Sequence, residues 1–581
     1  MRLSFLHRSL VIAGLLLVLS SGGFAQLLSE KSAPSFTRAD TLRGMLTPLR
    51  TCYDVLYYHL DVRVDPEHHT INGSNTIRFA VVSDFTALQV DLFPDMDIHQ
   101  ILLEGKTKLA FERESGAVFV RFPESMKKGT VREITVEYGG TPTVAKNPPW
   151  DGGLTWAHDS TGNPWVVVTC QGTGASLWWP NKDHQADEPD SMLISVTVPP
   201  GLEDISNGRL RERRVLSDGW TRFDWFVSYP INNYCVTINV GKFAHVSDRH
   251  INGDTLALDY FVMPEHLAAA REQFRQVGPM LSSFEHWFGK YPFFRDGFKL
   301  VECPHTGMEH QSAVAYGNHY LQGYRGRASS AVGLKFDFII IHESAHEWWG
   351  NSITAKDPAD MWVHESFGAY AEALFVESLY GREQAITYIN GKKPNVRNDA
   401  PIIGVFNVNS EGSGDMYDKG QLLLNTLRSV IDNDSAWVSL LRGLYDRFKY
   451  QTVTGKEIVE FVCSITGQDL RYFFDQYFGH AKLPRLRIAV SQKGEKVTAG
   501  YRWEADVPDF RMPVKVTLGS DSLGFIYPTT SWKTTPLALK DPAEFRAAED
   551  LFYFDLALSR AYIDARATDR QQRRRQTGDG F

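Results

Sequence analysis

Apolar and polar residues alternate along the first third of the chain. In Tyr57-Tyr58-His59-Leu60-Asp61-Val62-Arg63-Val64 the apolar positions fall on every second residue, and 70–79 repeats the pattern after a turn. Period two sends successive side chains to opposite faces, so both segments are expected to be half-buried strands. Similar short runs at 131–138, 193–198 and 221–229, separated by Gly, Pro and Asp, predict an all-β domain over residues 51–245. The period then changes. Residues 265–287, 333–349, 361–380 and 420–444 have helical spacing, and Gly381 stands where a left-handed helix cap is wanted. This predicts a helix-rich domain over 246–480. Beyond Pro484 alternation returns at 486–490, 497–503 and 513–518, which predicts a small β-domain over 481–565. The chain therefore reads as multidomain α+β, without internal repeats.

The two ends have a different character. Arg2 and Arg8 precede the apolar run 10–19 as a positive n-region, and Gly23-Phe24-Ala25 places small residues where a signal peptidase cuts, so residues 1–25 read as a signal peptide with Gln26 as the first mature residue. The run is about half the roughly 20 residues that a spanning helix needs. Residues 26–50 form a polar lead-in, and the arginine-rich tail 566–581 reads as disordered. Export to the periplasm or the exterior follows, with no stable membrane insertion. Apolar content of 43% and charged content of 22% suit a soluble globular protein, and a net charge of −8 argues against nucleic acid as a partner. The five cysteines lie far apart with no C-x-x-C pair. They read as small buried residues with at most one bridge, not as a disulfide framework or a cysteine metal site.

Candidate chemistry is concentrated in the helical part. His342-Glu343-Ser344-Ala345-His346 is an H-E-x-x-H motif in an apolar helical setting. Residues four apart share a helix face with Cβ atoms about 5–6 Å apart. Both imidazoles can then reach one zinc ion, while Glu343 projects beside the metal as a general base. Glu365, nineteen positions after His346, begins a second helix that can fold its carboxylate back as third ligand. Two His and one Glu with a fourth position for water is the catalytic rather than the structural zinc pattern. The chemistry is zinc-assisted hydrolysis of an amide.

Two more segments make the chain resemble the aminopeptidase N-like family of zinc gluzincins, which includes leukotriene hydrolase-type enzymes. Thr306-Gly307-Met308-Glu309-His310 is similar to the family's Gly-x-Met-Glu-Asn strand, with His310 in place of the usual Asn. The resemblance implies that Gly307 and Met308 line the substrate and that Glu309 binds its free α-amino group. Asp415-Met416-Tyr417-Asp418-Lys419-Gly420 is similar to the family's Tyr-x-Lys-Gly segment, which implies that Tyr417 donates a hydrogen bond to the oxyanion. Cys170-Gln171-Gly172, ahead of Pro180-Asn181-Lys182-Asp183, matches a glutamine-bearing loop, although the family's Arg before that Pro-x-x-Asp is absent. Gln171 would then help Glu309 hold the amino terminus.

Over about residues 50–560 the resemblance implies an N-terminal β-saddle, a thermolysin-like catalytic domain and a small β-domain. The long helical domain that closes the cavity in many relatives has no room here, so an open site, or one closed by a homodimer, is expected. The leading expectation is an exported zinc aminopeptidase acting on peptides with a free N-terminus. A thermolysin-like endopeptidase and a peptide-binding protein with an inactive zinc site are the alternatives.

Overall fold

A computed structural model of the chain describes residues 35–519 and 522–563. The signal peptide and the arginine-rich tail expected from the sequence lie outside the described residues.

The alternating segments of the first third are strands. Tyr53–Asp65 and Thr70–Val81 pair antiparallel at the centre of an eight-stranded sheet, and Ser191–Val198 joins the first of them in parallel. Leu60, Val62 and Val64 are all but fully buried, whereas the residues between them are half-exposed, as period two requires. A four-stranded sheet contains Gly153–His158 and Pro164–Thr169. The loop that leaves Thr169 carries Gln171.

A five-stranded sheet lies beside the H-E-x-x-H helix and leads into Glu309. Its strands are β1 (Ala244–Asn252), β2 (Asp254–Val262), β3 (Phe298–Glu302), β4 (Gly307–Met308) and β5 (Val314–Tyr316), in the order β1-β2-β3-β5-β4. Neighbouring residues in β3 and β5 point opposite ways. Val301 and Ala315 join the core of the N-terminal β-sheets, together with Met308, while Leu300, Val314 and Tyr316 join the core of the helices. The edge strand β4 is thus held between two hydrophobic cores, which fixes the position of Glu309 directly after it.

Three helices complete the site: α1 (Phe338–Ala345), α2 (Trp362–Tyr380) and α3 (Asp418–Ile431). Asp337 caps α1 by accepting from the Ile339 and Ile340 amides at 3.0 and 3.4 Å. The 333–349 helix expected from the sequence is shorter, because the chain turns out of the helix at His346. The Asn351 amide then bonds the His346 carbonyl at 2.9 Å, and the Trp349 carbonyl turns back to the His346 ring. The 420–444 helix is two helices. Asp432 adopts a left-handed conformation at φ 51°, and Asn433 caps the next helix, Asp434–Phe448, by accepting from the Ala436 amide. Gly381 ends α2 at φ 87° and ψ 165°, outside the left-handed helical well expected for it but equally closed to L side chains.

Beyond residue 484, Lys533–Leu537, Lys496–Glu504, Arg485–Lys493 and Asp555–Ile563 form a four-stranded sheet in that order. It shares a hydrophobic core with the helices, and the Tyr477 hydroxyl donates to the Tyr553 carbonyl at 2.6 Å. All five cysteines are unpaired: Cys52, Cys170, Cys235 and Cys303 are buried and Cys463 is half-buried. The one bridge the sequence left room for is therefore absent. Among the described residues no helix is long and apolar enough to cross a membrane.

Candidate active site

His342, His346 and Glu365 converge between α1 and α2, and all three are buried. The His342 Nδ1 lies 2.7 Å from Glu372 Oε1, and the His346 Nδ1 lies 2.8 Å from the Trp349 carbonyl oxygen. Each Nδ1 therefore carries the proton and donates it, which leaves both Nε2 lone pairs aimed inward. The Nε2 atoms face each other at 3.3 Å, and Glu365 Oε2 lies 3.7 and 3.4 Å from them. Glu365 Oε2 is buried and has no hydrogen-bond partner among the described residues. Three donor atoms this close, one of them an unpartnered carboxylate oxygen, suit a cation among them. Zinc bonds of roughly 2.0–2.1 Å at tetrahedral angles set donor atoms about 3.3–3.4 Å apart, so the trio fits one zinc ion.

Close packing holds the ligands in place. A Cβ on Gly368 in α2 would stand 2.8 Å from His346 Cε1, so the imidazole lies against bare backbone. Glu343, beside His342, faces β4 at similarly close range. A side chain at Gly307 would come within 2.9 Å of Glu343 Oε1 and 2.7 Å of Ile339 Cγ2. Burial raises the Glu343 carboxyl above the ordinary carboxylate range. The two imidazoles oppose that shift, and Glu365 and Glu372 add to it.

Glu309 and Gln171 meet across the two cores. Gln171 Nε2 donates to Glu309 Oε1 at 2.6 Å and to Glu365 Oε1 at 3.1 Å. One amide therefore ties the residue after the edge strand to the metal trio. The Asn351 amide nitrogen donates to the Glu309 carbonyl at 2.9 Å, and Glu347 Oε1 accepts from the Ser312 amide at 2.8 Å, anchoring the turn after Glu309. Burial pushes the Glu309 carboxyl upward, His346 opposes this, and Glu365 and Glu343 reinforce it. Met308 is buried and reaches the cavity wall. His310 turns away from the cavity and is buried, with neither ring nitrogen partnered among the described residues.

Tyr417 enters from the other side, directly before α3. The Ser366 hydroxyl donates to the Met416 carbonyl at 2.8 Å, and a Cβ on Gly420 would stand 2.2 Å from Ser366 Oγ. The glycine of the Tyr-x-Lys-Gly segment thus lets α3 approach α2 one residue from Glu365. The Tyr417 ring centre lies 6.0 Å from that of His342. Burial, reinforced by Glu365, Glu411 and Glu309, holds the phenol well above its ordinary range, so it is an O–H donor.

These groups line a cavity of about 970 Å³. Two further acids, not evident from the motifs alone, complete the site, Glu372 behind the cavity wall and Glu411 in its lining. Glu372 orients His342 and accepts from the Tyr388 hydroxyl at 2.5 Å. It stands seven residues after Glu365, two turns along one helix face, which is a spacing visible in the sequence. Glu411 lines the cavity from the glycine-rich loop before Tyr417; burial, then Glu365, pushes its carboxyl up to about 7.

Residues 273–477 match the Peptidase family M1 domain. Aminopeptidase B of Rattus norvegicus is 25% identical over 543 residues, covering 84% of this chain and 77% of the relative. Leukotriene A-4 hydrolase of Xenopus laevis is 23% identical over 442 residues, covering 71% and 68%. The crystal structure of an M1 zinc metallopeptidase from Deinococcus radiodurans shares the fold, with a TM-score of 0.61 at 19% identity over 74% of this chain and 94% of that one. The segment that matches the Peptidase family M1 domain spans Glu309, the trio His342, His346 and Glu365, and Tyr417: over residues 273–477 the chain is similar to the M1 family of zinc metallopeptidases.

Proposed function

We propose that the chain is an exported zinc aminopeptidase that removes the first residue from peptides. The observation that carries this reading is the Gln171 amide joining Glu309 to Glu365, 2.6 Å from one carboxylate and 3.1 Å from the other. A buried carboxylate so close to the metal trio is a receptor for a substrate ammonium, and a chain continuing past that point would leave Glu309 unpaired. An endopeptidase has no use for it.

His342, His346 and Glu365 would hold the ion. Zinc there supplies a Lewis acid that polarises the scissile carbonyl and makes water acidic enough to attack near neutral pH. Glu309 and Gln171 fix the α-amino group, which sets the first peptide bond over Glu343. The Glu343 carboxylate takes the proton of the attacking water and passes it to the leaving amine. Tyr417 donates its hydroxyl hydrogen to the oxygen on which negative charge develops. Glu372 and the Trp349 carbonyl keep both imidazoles in the orientation the ligands need. The metal trio, base, amine-binding pair and tyrosine all come from one chain, so a second copy is not needed to assemble the site.

A peptide of ten different residues, followed by mass spectrometry over time, tests the reading. Successive loss of single residues from the N-terminus is expected, and internal fragments appearing first would favour the endopeptidase. Export is supported by the apolar run 10–19 with the arginines that precede it and by the small residues at 23 and 25. The native protein recovered from outside the cytoplasm should begin at Gln26, and an intact N-terminus on a cytoplasmic protein would overturn export.

A further inference from the structure

We propose that Arg43, on the short helix Arg38–Gly44 ahead of the first strand, is a positioning residue for amine recognition, holding the Gln171 loop where its amide meets Glu309. The inference rests on the aminopeptidase reading above and adds to that site a segment that lies outside the cavity lining.

Buried side chains seat this segment. Three successive carbonyls are taken up: Gln89 Nε2 donates to that of Leu42 at 3.0 Å, Arg50 Nη1 donates to that of Arg43 at 2.6 Å, and His184 Nε2 lies 3.2 Å from that of Gly44. Gln89 and Arg50 are fully buried, and Arg50 pairs with Asp91 at 2.7 Å. Gly44 also lies against the chain that runs on to Glu411 and Tyr417. A Cβ on it would stand 2.1 Å from the Asn409 nitrogen and 2.5 Å from the Val408 carbonyl carbon. What the sequence suggested was only a polar lead-in is therefore wedged between the N-terminal β-sheets and the loop before Tyr417.

From that seat the half-buried Arg43 side chain reaches the Gln171 loop. Its Nη2 donates to the Gly172 carbonyl at 2.9 Å, and the Asn409 side-chain amide donates to the same oxygen at 2.9 Å. The guanidinium also lies against Gly174, where a Cβ would stand 2.9 Å from Arg43 Nη2 and 2.3 Å from Asp183 Oδ2. Asp183 fixes the far end of the loop by accepting from the Ser176 amide at 3.0 Å, and it attracts the guanidinium. Gly172 and Gly174 have φ of 69° and 96°. This stretch has little side chain of its own to pack, so donors from outside decide where it sits. Gln171 is one residue away, with its amide 2.6 Å from Glu309 and 3.1 Å from Glu365. A displacement of about 1 Å away from Glu309 would end that hydrogen bond.

Two zinc-chelating inhibitors separate the amine from the rest of the site: leucine hydroxamate, and 4-methylpentanohydroxamate, which has the same side chain and lacks the α-amino group. Their inhibition constants are measured on the zinc-loaded protein during hydrolysis of leucine p-nitroanilide. The wild type should bind leucine hydroxamate more tightly. In Arg43→Ala that inhibitor should weaken about tenfold while the other holds, as expected for losing one charge-assisted hydrogen bond that keeps the pocket in register. Arg43→Met, which keeps an apolar stem near Phe93 and drops only the donors, should do the same. Arg43→Lys should keep part of the difference, and guanidinium chloride below denaturing concentrations should restore it to Arg43→Ala. An inhibition constant does not depend on how much of a preparation folds. Equal weakening of both inhibitors, or of neither, would overturn the inference and leave the aminopeptidase reading standing. Equal inhibition of the wild type by the two hydroxamates would remove the amine pocket, and both readings with it.

Discussion

The Glu372 carboxylate lies 2.7 Å from the His342 Nδ1, two helical turns beyond Glu365 on the same helix. On the proposed function, one helix would supply both a metal ligand, Glu365, and the group that orients another, His342. Groups of this kind typically govern metal affinity by 10–100-fold. Glu372→Ala should weaken zinc binding by about that factor, measured by titration against a competing chelator. Unchanged affinity would mean that His342 is oriented by its packing alone.

Glu343 is buried beside the trio but is not a ligand. Glu343→Gln should therefore retain zinc at the wild-type stoichiometry while kcat falls by about 10²–10⁴. Metal analysis and single-turnover kinetics on one preparation separate the two effects. Loss of zinc along with activity would contradict a role confined to proton transfer.

Tyr417 has its hydroxyl in a pocket of carboxylates and its position set by the contact of Gly420 with Ser366. Tyr417→Phe should lower kcat by about 10²–10³ and move KM little, because the hydrogen bond it removes gains strength only as charge develops. A rise in KM at constant kcat would assign Tyr417 to ground-state binding.

Away from the site, Asp204 is fully buried. It accepts from the Ser206 hydroxyl at 2.9 Å, and its Oδ1 has no partner among the described residues. Burial pushes its carboxyl up to about 8. Between the ordinary carboxylate range and about pH 8, the folded chain holds a proton that the unfolded chain has released. Stability is therefore lost as pH rises through this window, on the order of a few kcal/mol in all. Asp204→Asn should flatten that slope, as read by urea unfolding at pH 5 and pH 8. An unchanged slope would show that Asp204 is ionised in the folded protein.

Much of this was legible in the sequence because it follows from periodicity and spacing. Period two marked the strands around Leu60 and Val62, and the H-E-x-x-H spacing put two imidazoles on one helix face. Other features depend on contacts between distant segments. The break at His346 follows from the Trp349 carbonyl turning back to the ring, and the break at Asp432 follows from a left-handed residue that local apolar spacing does not reveal. The commitment of Gln171 to Glu309 joins residues 138 positions apart and is fixed by two cores meeting at β4. Glu372 was within reach, since its spacing from Glu365 already placed both on one face.

On the proposed function, Glu309, held by Gln171, receives the α-ammonium of the substrate. The direct measurement is kcat/KM for leucine p-nitroanilide against its N-acetylated form, with the zinc-loaded protein. Removing one partner of a buried charge pair costs about 3–5 kcal/mol, so the acetylated substrate should be cleaved about 10²–10⁴-fold less efficiently. Equal efficiency on the two substrates would contradict the account.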